Sequence, residues 1–180
     1  MLPHMNRAFA ATAVNFIGLQ ALWPVAVIGA VRQWAVPAWS VVMVMLVLLW
    51  ALERNWRSDS RLLLAGALGC VLVEPLLMLT GLLRYATGGG AWWPPSWIWS
   101  LWLGFAVSFN YSLAWLHQRP RWAAMLGAVG GVVSVSMGIR LGAASAPLGW
   151  LPLALCYALL WAAVVPLLAA MSRREWEKAP

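Results

Sequence analysis

Glu74 stands near the middle of an apolar run, Leu62 to Leu83, where a carboxyl group needs a chemical reason. A charged side chain at the centre of a membrane-spanning helix costs roughly 2.5 to 3.5 kcal/mol on insertion scales. Intramembrane acids therefore face the bundle interior and mark proton, ion or ligand sites. Glu74, Gln20 and Ser134 each lie twelve residues from the same end of their apolar runs. At 1.5 Å per residue this is a shared depth of about 18 Å, and the three predict one polar layer. Asn15 and Asn110, about 10 Å deep by the same rise, predict a second layer with Ser112 nearby. The alternative for these amides is that each joins a neighbouring helix as interhelical glue.

Two further sets of residues bear on chemistry. Arg32, Arg84 and Arg140 fall close to the ends of apolar runs on the side poor in basic residues. They either snorkel to lipid headgroups or converge on one anionic group, with Arg140 and Arg84 facing a shared vestibule. Fifteen tryptophans in 180 residues call for a physical cause. Most fall at run boundaries, where amphipathic indoles prefer to sit. The alternative is an aromatic pocket built from Trp93, Trp97 and Trp102, with Trp92 and Trp99 beside them.

The elements that must position these groups are membrane helices. With 63% hydrophobic and 9% charged residues, the chain has more apolar surface than a globule of its size can hide. Six apolar runs are each about long enough to cross a bilayer: 8–30, 35–52, 62–83, 96–116, 122–141 and 148–171. They lack the alternation of barrel strands. The predicted fold is an all-α polytopic transmembrane bundle in one domain, 1–180, with both termini cytoplasmic. The orientation of this multi-pass membrane protein follows from the basic residues, nine on one side against three on the other. Their dispersal sets topology and gives no nucleic-acid surface, despite the net charge of +7. A cysteine introduced at Gly89 is expected to label from outside and one at Ser58 not to.

Further motifs refine this reading. Gly130, Ser134, Gly138 and Gly142 recur at four-residue intervals, with Gly127 and Gly131 as a second pair. Small residues at this spacing predict close helix packing, within the chain or across a dimer. Gly88 to Pro95 reads as an outer loop or an interfacial hairpin. Pro24, Pro75, Pro152 and Pro166 predict local kinks. Cys70 and Cys156 show no metal or disulfide spacing, and His4 and His117 lie near run ends. No metal or cofactor is expected, and no nucleophile elbow, zinc motif or phosphate loop supports an enzyme.

Several stretches together resemble DUF2878, an uncharacterised bacterial inner-membrane family. They are Asn15-Phe16-Ile17-Gly18 with Gln20 and Trp23, and Gly69 through Glu74 to Gly81-Leu82. Pro95-x-Trp97 with Leu101-Trp102 and Phe105 follows, then Leu126 to Gly131 leading to Gly138 and Leu141-Gly142-Ala143. In that family an aspartate is usual where this chain has Glu74. Its members are often encoded near cyclopropane-fatty-acid-synthase-like and flavin amine-oxidase-like enzymes. The resemblance implies a link to membrane lipid or fatty-acid modification, with membrane lipids and a lipid-modifying enzyme as partners. Trp92-Trp93-Pro94-Pro95-x-Trp97 is also similar, locally, to the Trp/Pro-rich turn of the tryptophan-rich sensory and translocator proteins. The leading expectation is an accessory protein or enzyme acting on membrane lipid. The alternatives are a small permease using Glu74 as a proton-linked carboxylate, and a non-catalytic sensor or assembly subunit that binds a lipophilic ligand.

Overall fold

In lipid, an apolar segment must satisfy its backbone polar groups within itself, and the helix does so. The computed structural model describes the backbone of residues 2–53, 55–90 and 92–176, and the side chains of 7–53, 55–90 and 92–172. His4 and four of the nine basic residues counted on the cytoplasmic side, Arg54, Arg173, Arg174 and Lys178, lie outside those whose side chains are described. Six helices follow in order: α1 (Leu2–Val31), α2 (Val36–Glu53), α3 (Trp56–Leu79), α4 (Ser96–Val107), α5 (Pro120–Arg140) and α6 (Trp150–Trp176). All but α4 are long and apolar enough to cross a membrane. The architecture is an all-α polytopic bundle; among the described residues five helices are long and apolar enough to span and one is short, in place of the six full-length spans expected.

The helices pack mainly as consecutive pairs, α1 with α2, α3 with α4 and α5 with α6. Tight turns join the first pair: Trp34 N–H bonds the Gly29 carbonyl at 2.7 Å, and Gln33 takes a positive φ of 57°. A side chain on Gly29 would meet that Trp34 carbonyl at 2.5 Å. At one end of the bundle two short strands, β1 (Arg84–Tyr85) and β2 (Ala144–Ser145), pair antiparallel and tie the α3–α4 loop to the α5–α6 loop.

Two predicted spans are corrected. The run expected over 62–83 is helical over 56–79, because Asp59 is buried in the first turn and its carboxylate suits a helix N-terminus. The run expected over 96–116 is regular only to Val107 and then breaks into two 3-10 turns, Ser108–Asn110 and Ala114–Leu116. The Ser108 hydroxyl donates back to the Gly104 carbonyl at 2.8 Å, a bond that competes with helix continuation. Freed backbone groups beyond it find side chains: Ser112 N–H donates to Asn15 Oδ1, and the Phe109 carbonyl accepts from Ser172 and His117. Segment 96–116 still covers the length of α3 in antiparallel sense, with Trp102 against Glu74 and Asn110 against Asp59. Pro152 falls in the first turn of α6, where a missing N–H costs no helical bond; Pro24, Pro75 and Pro166 lie inside their helices.

Of the two glycine sets on α5, one packs within the chain and the other does not. Gly127 and Gly131 form the seam against α6: a Cβ on Gly127 would lie 2.2 Å from the Trp161 carbonyl oxygen, and one on Gly131 would lie 2.5 Å from the Trp161 ring. Gly130, Gly138 and Gly142 have nothing within 4 Å of such an atom and are not packing positions in this chain. Gly127→Ala must push backbone from backbone, and is expected to destabilise the fold by about 1–3 kcal/mol. Gly130→Ala is expected to leave stability unchanged. Thermal melting of both variants in detergent separates the two faces.

The fold also refines the labelling test for orientation. Gly89 has φ +79° and a side chain there would meet the Trp93 carbonyl, while Ser58 is buried. Ser145 and Gln118 are exposed at opposite ends of α5 and suit the experiment better. With Cys70 and Cys156 replaced, Ser145→Cys is expected to react with an impermeant maleimide in intact cells and Gln118→Cys only after lysis. The opposite pattern sinks the charge-based orientation.

Candidate functional site

The site is built around Glu74, which is 3% exposed. Gly66 and Gly69 on α3 let α4 approach, since side chains there would meet Ala106 and the Trp102 ring at 2.7 and 2.5 Å. That approach lays Trp102 across α3, where its indole N–H donates to Glu74 Oε1 at 2.8 Å. Trp102 in turn stacks on Trp161 of α6, with ring centroids 5.0 Å apart. From the strand β1, the Tyr85 hydroxyl donates to Glu74 Oε2 at 2.5 Å. Tyr157 of α6 interacts with Tyr85 and lies in the field of Glu74. Burial, and then the neighbouring Glu74 carboxylate, push the Tyr85 phenol up, so Tyr85 stays a donor. The carboxylate keeps free lone pairs for a third partner.

Glu74, Gln20 and Ser134 line one cavity of about 440 Å³. On α5 alone it runs from Leu126 to Gly138, about 18 Å at the helical rise. Its polarity is segregated. Leu113, Leu116, Leu126 and Val165 surround one end, and Glu74, Tyr85 and Tyr157 the other. Nearer the polar end, Trp23 of α1 donates to Ser134 of α5 at 2.8 Å. From that bond toward the apolar end the lining reaches the bundle surface, at exposed Gln20 and Gly130 and at Leu126, which is 41% exposed. Since α1 packs on α2 and α4 while α5 packs on α6, the mouth between α1 and α5 faces lipid.

The other candidate residues lie elsewhere. Asn15 and Asn110 line neither this cavity nor the second one described below. Asn15 bonds Ser108 and Ser112, and Asn110 bonds Ser58, Asp59 and Ser172, so both hold the broken stretch after α4 against its neighbours. Arg32, Arg84 and Arg140 are exposed and line neither cavity; Arg84 sits in β1 opposite Ser145. The three tryptophans divide. Trp93 and Trp97 wall a vestibule of about 780 Å³ with Trp34, Trp39 and Trp99, while Trp97 and Trp102 wall the inner cavity.

Sequence reasoning missed Tyr85, Tyr157 and Asp59. Asp59 is fully buried and accepts from Trp50, Asn110 and Tyr111. A signal existed: the chain has three tyrosines against fifteen tryptophans, and Tyr85 and Tyr111 each serve a buried acid.

Residues 12–167 match the profile of DUF2878, described as a protein of unknown function. No curated protein and no solved structure matches the chain.

Proposed function

We propose that this chain, which belongs to the DUF2878 family of proteins of unknown function, takes an elongated lipophilic molecule from the bilayer and holds its polar head at Glu74. One observation carries the reading: the cavity is apolar along most of its length, polar at one end, and opens toward lipid between α1 and α5. Its volume of about 440 Å³ lies in the usual range for small-molecule sites. A hydroxyl or amine on the head would donate to Glu74, whose two oxygens are steadied by Tyr85 and Trp102. In the finer form of the proposal the chain works in the bacterial inner membrane, presenting or acting on lipid during membrane-lipid or fatty-acid modification, beside a lipid-modifying enzyme. That form rests on the same cavity and its lipid-facing mouth.

The mouth offers a direct test. Gly130 has open space around its Cβ position, so Gly130→Leu should fold normally while filling the opening. Crosslinking to a photoactivatable single-chain lipid is expected to fall at least about tenfold in this variant with melting unchanged, since a bulky side chain in a small mouth excludes the chain sterically. Undiminished crosslinking, or crosslinks confined to the outer helix faces, sinks the cavity as the binding site.

A further inference from the structure

Trp97 is 5% exposed, and its indole N–H is the one buried side-chain polar atom without a hydrogen-bond partner among the described residues. An indole nitrogen only donates, and a buried donor left unpaired carries its full desolvation cost. The ring stands in the wall of both the inner cavity and the vestibule. It packs edge-on against Tyr85, with centroids 5.4 Å apart, and the Tyr85 hydroxyl holds Glu74. The polar end of the inner cavity and the unpaired donor therefore meet at one partition. None of the described residues lining the vestibule is charged; Gln33, Thr87 and Ser96 supply polarity among the tryptophans.

We infer that the two cavities form one binding path for a single-chain acyl ester with an uncharged, hydroxyl-bearing head, of the monoacylglycerol type. The inference rests on the lipid-binding reading of the inner cavity. The hydrocarbon chain fills the inner cavity, which is long and apolar away from Glu74. Where the chain ends, the ester carbonyl accepts from Trp97 Nε1. The adjacent free hydroxyl donates to Glu74, and the head continues into the vestibule. An anionic head finds no cation in that lining. The N–H is shut off from solvent, so the ring must turn in its edge contact with Tyr85 to offer it. The unpaired donor favours that turn whenever an acceptor is presented.

The test is competition on the full chain in lipid nanodiscs, against a radiolabelled monoacylglycerol. The competitors are a monoacylglycerol, the alkyl ether of equal length that lacks the carbonyl, and a lysophosphatidylglycerol with an anionic head. The ester is expected to compete about fivefold or more better than the ether on the unmodified chain, the worth of one hydrogen bond to an otherwise unpaired buried donor. In Trp97→Phe, which keeps the ring and removes the N–H, that advantage should fall to within about twofold. Equal competition by ester and ether on the unmodified chain overturns the inference, whether or not the variant folds. Stronger competition by the anionic lipid overturns the uncharged head. If radiolabelled lipid fails to bind at all, the lipid-binding reading beneath the inference fails with it.

Discussion

Glu74→Gln is expected to fold and melt like the unmodified chain while losing roughly tenfold to a hundredfold in affinity for the lipophilic ligand. The reason lies in the two donors. The Trp102 indole can only donate, and the glutamine carbonyl oxygen can still accept from it where Oε1 does now. The Tyr85 hydroxyl can rotate to accept from the new amide. The site is then satisfied without a charge. What disappears is the second acceptor oxygen for the ligand head, replaced by an amide that only donates, and a buried donor left without its acceptor costs about 1–3 kcal/mol. Competition binding and thermal melting on one preparation decide the matter. Wild-type affinity with wild-type melting would leave Glu74 as interhelical glue and remove the functional site, whereas lost melting would show a structural role.

Asp59→Ala is expected to produce the largest loss of stability of any single change considered. Its carboxylate accepts from Trp50 Nε1 at 3.0 Å, Asn110 Nδ2 at 2.8 Å and the Tyr111 hydroxyl at 2.8 Å. Alanine strands these donors in or near the core, at about 1–3 kcal/mol for each buried group left unpaired. The stretch after α4 loses its anchor at the same time, because Asn110 and Tyr111 lie in it. A destabilisation of about 3 kcal/mol or more is expected in denaturant titration in micelles. Asp59→Asn keeps one accepting oxygen and should fall between the two. If Asp59→Ala unfolds at the wild-type midpoint, the network does not hold the broken helix.

Composition and run length alone determined that the chain is a bundle of membrane helices, because in hydrocarbon no other open backbone arrangement satisfies its own polar groups. Local spacing was also enough to bring Gln20, Glu74 and Ser134 to one cavity, since depth along a helix follows from residue number and the fixed rise. Direction around a helix does not follow in the same way. The stripe from Gly130 to Gly142 and the pair Gly127 and Gly131 both read as packing positions, yet only the pair meets α6, because which face meets it depends on how α5 is rotated in the bundle. The helix break at Val107 was hidden for a related reason. Ser108, Asn110 and Ser112 occur in an apolar context that reads as continuous span, and only their partners Asn15, Asp59 and Ser172 from three other helices make the break affordable. Tyr85 and Trp102 reach Glu74 from eleven and twenty-eight residues away, one through a strand pairing and the other through a glycine-permitted close approach. Such contacts depend on the relative positions of separate elements, so tertiary packing alone decided them.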